Sequence, residues 1–150
     1  MASLQYLVRK FSQAKVGFVS LASLKCLQRK IITIKVGIIA GIGDRRVEDN
    51  NEMGSIAAEM FDEIIIRQDK QLRGKTEEEL IKMLNDGIQS KDPSKKTTII
   101  PSEKEAILYA VKNAKKGSLI VMCSDVIPEA LDLVAKLKAQ EMNGEAFHGV

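Results

Sequence analysis

The residues best placed to do chemistry are Gly41-Ile42-Gly43-Asp44-Arg45-Arg46, which follow directly on the apolar run Val36–Ala40. Two adjacent guanidinium groups can bind anionic oxygens through paired N–H donors. The glycines permit a tight turn in which backbone amides approach a phosphate. Asp44 can accept from a hydroxyl, an amine or Arg45. The third glycine of a dinucleotide fingerprint is missing. Spacing alone therefore leaves a plain strand-to-helix turn with solvated arginines as an equal alternative. Gly43, Asp44, Arg45 and Arg46 are the candidate residues for a nucleotide or cleft.

A second polar cluster, Arg67-Gln68-Asp69-Lys70-Gln71-Leu72-Arg73-Gly74-Lys75, follows another apolar run. Asp69 and Arg73 together can hold the amine and carboxylate ends of an amino acid, with Arg67 beside them. Taken alone, this segment reads more simply as a polar loop. A third group, Cys123-Ser124-Asp125, follows the last apolar run, and Asp125 reads most simply as a helix cap. The single histidine, His148, rules out a Ser/His/Asp or Cys/His catalytic set in this sequence, and no Gly-x-x-x-x-Gly-Lys-[Ser/Thr] loop occurs. No catalytic residue and no metal cage is expected.

The elements that must position these clusters alternate. Short apolar, β-branched runs predict strands over Lys35–Ala40, Glu63–Arg67, Thr97–Ile100 and Ser118–Cys123. Helical spacing predicts helices over Glu48–Met60, from Thr76 to about Gln89, from Ser102 to near Gly117, and from Pro128 to about Gln140. Thr76 with Glu79, and Ser102 with Glu105, have the spacing of capping boxes. Alternation with short connections implies an α/β domain, a Rossmann-like mostly parallel sheet with helices on both faces. In such sheets the loops after the strands share one edge, where ligands bind. All three polar clusters fall there.

With 150 residues and 45% apolar content the chain is long enough for one cored domain. No window approaches the ~20 apolar residues that span a bilayer. The net charge of +3 is no argument for nucleic-acid binding. Cys26 and Cys123 read as buried, reduced thiols of a cytoplasmic protein. The charge is uneven: residues 1–35 carry Arg9, Lys10, Lys15, Lys25, Arg29, Lys30 and Lys35 and no acidic residue. Residues 1–34 thus form a basic leader ahead of the α/β domain at 35–142 and a loose tail at 143–150. Leu4, Leu7, Val8 and Phe11 are helically spaced. The simplest expectation is a helix packed on the sheet, although a transit peptide or a membrane-surface helix shows the same features, and its apolar face offers a route to a homo-oligomer.

From Val36 to about Lys138 the sequence resembles the C-terminal domain of the Mur-ligase family, and within it the cyanophycin synthetases. The resemblance rests on Gly-Ile-Gly-Asp-Arg-Arg-x-Glu-Asp (41–49), Gly54-x-Ile56-Ala57 and Phe61-Asp62-Glu63-Ile64-Ile65-Ile66-Arg67. It continues through Asp69, Leu72-Arg73-Gly74-Lys75, Glu103-x-Glu105-Ala106 and Lys116-Gly117-Ser118-Leu119-Ile120-Val121. It implies an ATP-dependent amide ligase. In such enzymes ATP phosphorylates a carboxylate, and an amino acid's amine attacks the acyl phosphate. The C-terminal domain closes over ATP and the incoming amino acid, such as arginine. Asp44, Arg45 and Arg46 would then face the interdomain cleft, and Asp69 and Arg73 the amino-acid pocket. ATP and magnesium are held mainly by a central domain that these residues do not include. The chain is therefore expected to need its upstream ligase domains as partners and to be inactive alone. The alternatives are a stand-alone anion- or nucleotide-binding module and a non-catalytic interaction domain.

Overall fold

The computed structural model describes residues 4–8, 32, 34–68, 72–115, 117–123 and 127–142. Five strands form one sheet: β1 (Leu4–Val8), β2 (Ile34–Ala40), β3 (Glu63–Arg67), β4 (Lys96–Ile99) and β5 (Ser118–Cys123). Among the described residues, four helices connect or follow them: α1 (Val47–Met60), α2 (Glu77–Lys91), α3 (Glu103–Lys112) and α4 (Ile127–Met142).

The strand order is β1-β5-β2-β3-β4. β2, β3, β4 and β5 are parallel, with Ala40 opposite Arg67 and Ile38 opposite Met122. From β2 the chain steps outward through β3 to β4, then returns to place β5 on the other side of β2. The order therefore reverses between β2 and β5. In open sheets that reversal leaves a crevice at the carboxyl ends of the strands.

Both faces of the parallel core are covered, which is why its strands read as nearly continuous apolar runs. On one face Val36, Ile38, Ile65, Ile120 and Met122 pack with Ala106, Ile107, Val111, Val134 and Leu137 of α3 and α4. On the other, Ile39, Ile64, Ile66, Leu119 and Val121 pack with Ala57, Leu84 and Ile88 of α1 and α2, and with Phe61. Burying each of the larger of these side chains contributes about 1.5–3 kcal/mol. Glycines bring α1 and α2 into backbone contact. A Cβ on Gly54 would run into the Leu84 carbonyl, and one on Gly87 into that of Asn51.

Three expectations need correction. Leu4–Val8 is a strand, not helix: it pairs antiparallel with β5, Leu4 opposite Cys123 and Val8 opposite Leu119. Helical spacing over five residues is equally compatible with a strand, and the outer edge of β5 offers unpaired backbone groups that a strand satisfies. Residues 9–31 and the 143–150 tail, with Cys26 and His148, lie outside the described residues. Helix α3 ends at Lys112, not near Gly117, because Asn113 closes it by donating its side-chain amide to the Tyr109 carbonyl at 2.8 Å. Cys123, expected buried, is half-buried at the end of β5. Among the described residues no helix is long and apolar enough to cross a membrane.

Candidate functional site at the carboxyl edge of the sheet

The loop after β2 is held from beneath by Asn50, which is 0% exposed in the first turns of α1. Its Oδ1 accepts from the Ile42 N–H at 2.9 Å, and its Nδ2 donates to the carbonyls of Ile42 and Arg46 at 3.1 and 3.2 Å. One buried amide thereby pairs the Ile42 N–H and adds a second donor to the Ile42 and Arg46 carbonyls, which also accept from the Arg45 and Asn50 N–H groups at 3.2 and 3.3 Å.

Arg46 is the N-cap residue of α1. An arginine side chain has only donors and cannot serve the helix amides; instead Asp49 takes that role. Its carboxylate accepts from the Arg46 backbone N–H at 3.3 Å, and from Nε and Nη2 at 3.2 and 2.8 Å. The hydrogen bond to the guanidinium holds the Asp49 carboxyl below its ordinary range, with a smaller opposing effect of desolvation. The same contact pushes the Arg46 guanidinium further up. An anion at this helix end would meet Glu48 and Asp49 in the first turn. The helix terminus is therefore not a phosphate cradle of the usual kind.

The loop after β3 arrives from the neighbouring strand. Residues 72–75 form a turn closed by the Lys75 N–H and the Leu72 carbonyl at 3.0 Å. Its central residues have positive φ, +46° at Arg73 and +87° at Gly74, as in a type I′ turn. Glycine adopts this freely, whereas for an arginine left-handed backbone costs about 1–2 kcal/mol. Such strain persists where surrounding contacts enforce it, and it clusters at functional sites. Here Arg73 Nη1 meets Asp44 Oδ2 at 3.1 Å. Lys75 Nζ donates to the carbonyls of Gly43 and Arg45, the latter at 2.9 Å. Thr76 then opens α2 with a complete capping box to Glu79.

Arg67 is placed differently from the exposed arginines. It is 6% exposed, with Nη1 on the Gln68 carbonyl at 3.0 Å and Nη2 on the Cys123 carbonyl at 2.9 Å. Its Nε faces the Glu103 carboxylate at 3.2 Å, without the alignment of a hydrogen bond. Arg67 thus ties β3, the end of β5 and the start of α3 together across the end of β2.

The structure therefore joins Asp44 to Arg73, places Gly43 and Arg45 in the same clamp, commits Arg46 to Asp49, and seats Arg67 below the surface. Arg45 is exposed, and its guanidinium has no ion pair among the described residues. Asp69, Ser124 and Asp125 lie outside the described residues. Two contributors escaped the residue reading. Asn50 carried a faint signal, a polar residue on the inward side of α1. Lys75 was visible only as one more charge in a polar loop.

A sequence model of the family described as Mur ligase, glutamate ligase domain, matches residues 20–126. Over 100 residues the chain is 35% identical to cyanophycin synthetase of Crocosphaera subtropica, covering 67% of this chain and 12% of that protein. It is 33% identical over 102 residues to the cyanophycin synthetase of Geminocystis herdmanii, covering 68% and 12%. Over 89 residues it is 37% identical to UDP-N-acetylmuramoyl-L-alanyl-D-glutamate--2,6-diaminopimelate ligase of Buchnera aphidicola, covering 59% and 17%. A solved structure of a ligase of that last name matches with a TM-score of 0.66 at 17% identity, over 89% of this chain and 31% of the other. That likeness speaks for the fold. The chain spans about an eighth of the length of the cyanophycin synthetases it matches.

Proposed function

This chain belongs to the Mur ligase family through its glutamate ligase domain, and from that premise we propose that its carboxyl edge receives the incoming amino acid of an ATP-dependent amide-forming ligase. The observation that carries the reading is the Asp44–Arg73 pair, 3.1 Å apart and 47% and 56% exposed. An exposed pair of this kind contributes about 0–1 kcal/mol, so it is easily opened. An amino acid replaces both halves at once: its carboxylate takes the Arg73 guanidinium, and a cationic group takes Asp44. The clamp and the strained turn hold both side chains where one small zwitterion spans them. Asp69 belongs to the same pocket in this reading. Arg67 serves it by fixing the strand ends.

ATP supplies the phosphoryl group that activates the acceptor carboxylate. On this chain Arg45, exposed on the Gly43–Arg46 turn, is the residue that fits a phosphate oxygen; Arg46 acts mainly by ordering the start of α1 through Asp49. Among the described residues no three His, Cys, Asp or Glu side chains gather as a metal site. They do not fit a magnesium cage, and magnesium is assigned to other residues of the complete ligase. Arginine, the amino acid that the family resemblance implies, is the first to try, and cytoplasm, where ATP and free amino acids occur, the first compartment.

The test is a titration of the isotope-labelled 150-residue chain, followed by amide NMR. L-Arginine is expected to shift the amides of residues 43–46 and 72–75, and ATP those around Arg45. Arg45→Ala removes the ATP response and leaves that to L-arginine. If neither L-arginine nor another amino acid moves residues 72–75, the amino-acid reading is wrong. A response to ATP alone would turn the chain into an anion-binding module.

A further inference from the structure

We propose that Lys75 is a positioning residue that locks the loops after β2 and β3 into one body, and so sets the separation of Asp44 and Arg73. The ammonium of Lys75 donates to the carbonyls of Gly43 and Arg45, the two residues flanking Asp44. From the same four-residue turn, Arg73 reaches the Asp44 side chain itself. The turn after β3 therefore grips a single residue at three points, two on its flanking backbone and one on its carboxylate.

The three contacts are not equivalent. A ligand that engages Asp44 and Arg73 must part them, and the pair then no longer holds the loops in register. The two contacts of Lys75 involve only backbone carbonyls, so they survive that exchange. An ammonium has three donors in a compact head, which suits it to two carbonyls at once without competing for the anion. Lys75 also lies directly before Thr76, whose hydroxyl accepts from Glu79 and whose N–H donates to the Glu79 carboxylate at 3.2 and 2.7 Å. The lysine is thereby anchored to the start of α2. On the far side, Asn50 anchors Ile42 to α1. Lys75 is the cross-link between two loops each fixed to its own helix. The lysine touches neither ligand nor reacting atom, and its influence on binding runs through Asp44 and Arg73. That part of the inference rests on the amino-acid reading given above; the locking of the loops does not.

Lys75→Met and Lys75→Arg in the 150-residue chain decide the matter, with hydrogen exchange and L-arginine affinity as readouts. In Lys75→Met, exchange at the Ile42, Arg45 and Arg46 amides is expected to rise about tenfold, the scale of one lost charged hydrogen bond. Amides of β2 and β3 should be unchanged. L-Arginine affinity should fall by a similar factor. Lys75→Arg, which keeps a cation with several donors, should restore both, which a merely global loss of stability would not allow. Unchanged exchange at those three amides in Lys75→Met overturns the proposal, as does a failure of Lys75→Arg to restore them. If the parent chain does not bind L-arginine, the amino-acid reading fails, while the exchange readout still decides the role of Lys75.

Discussion

Asn50 and Ile42 exchange a reciprocal pair of hydrogen bonds, 2.9 Å to the Ile42 N–H and 3.1 Å to its carbonyl. Because Asn50 is fully buried, its removal leaves the Ile42 N–H without its acceptor and strips one donor from each of two carbonyls. Asn50→Ala is expected to destabilise the chain by about 1–3 kcal/mol, read as a lower denaturant midpoint. Asn50→Asp keeps the acceptor for Ile42 but loses the donors to two carbonyls, so it should not rescue the loss. A parent-like midpoint for either variant would refute this role.

The Asp44–Arg73 pair should matter to binding and little to stability. The exchanged double variant Asp44→Arg, Arg73→Asp preserves an ion pair with reversed polarity. Its stability should stay within about 1 kcal/mol of the parent. Aspartate also tolerates left-handed backbone better than arginine does. Binding of L-arginine should be lost, because carboxylate and cation now meet like charges. Calorimetry on both proteins separates the two effects; retained binding in the exchanged variant would contradict the proposed pose.

Strain at Arg73 gives a prediction of opposite sign. Arg73→Asn places a residue that accepts φ near +46° where the arginine is strained. It should raise stability by up to about 1 kcal/mol while weakening L-arginine binding. Stability traded against function is the expected signature of a strained binding residue. A thermal midpoint below that of the parent would argue against strain.

Gly54 and Gly87 mark where α1 and α2 touch backbone to backbone. Alanine is the better helix former by about 1 kcal/mol, so propensity alone predicts stabilisation by Gly54→Ala and Gly87→Ala. The overlap with neighbouring carbonyls predicts the reverse. Since the obstructing atoms are backbone, the helices must separate, at a cost of about 1–3 kcal/mol or more. Unfolding curves of the two single variants show which effect wins; a stabilised variant would mean the interface yields more easily than its geometry implies.

The Asp49 carboxyl, held low by its hydrogen bond to Arg46, ties the start of α1 to pH. A carboxyl whose value is lower folded than unfolded stabilises above the ordinary carboxylate range. That contribution is lost as pH falls through the lowered value. Carbon-detected titration should find Asp49 below the ordinary aspartate value, and Arg46→Ala should return it upward. Both groups are solvent-facing, so added salt should shrink the difference. No change in Arg46→Ala would show that another group sets the titration.

Much of the architecture was legible in the residues, and the reasons are local. Glu63–Arg67 and Ser118–Cys123 have the bounds their apolar runs imply, because each run is closed by turn or polar residues and buried on both faces. Thr76 shows its cap three residues ahead of Glu79. What stayed hidden depends on contacts between distant segments. Leu4–Val8 is too short for its spacing to distinguish helix from strand, and its identity comes from β5. Of the polar clusters, the residues showed which charges lie on one edge but not how they pair. Asp44 meets Arg73, whereas Arg46 turns to Asp49 and Arg67 reaches Cys123. The positive φ at Arg73 has no residue signature beyond the glycine that follows it.

The place of β5 between β1 and β2 has a consequence for how the chain emerges from the ribosome. β2 and β3 each lie beside the next strand to be made, so β2, β3 and β4 can pair as they appear. β1 precedes the other described strands in the chain, yet its neighbour among them is β5, which leaves the ribosome after the other four. The sheet therefore cannot be completed until Ser118–Cys123 has been made. Until then one side of β2 stays open, and β1 waits for the last of the described strands, an interval in which a chaperone has both edges to guard.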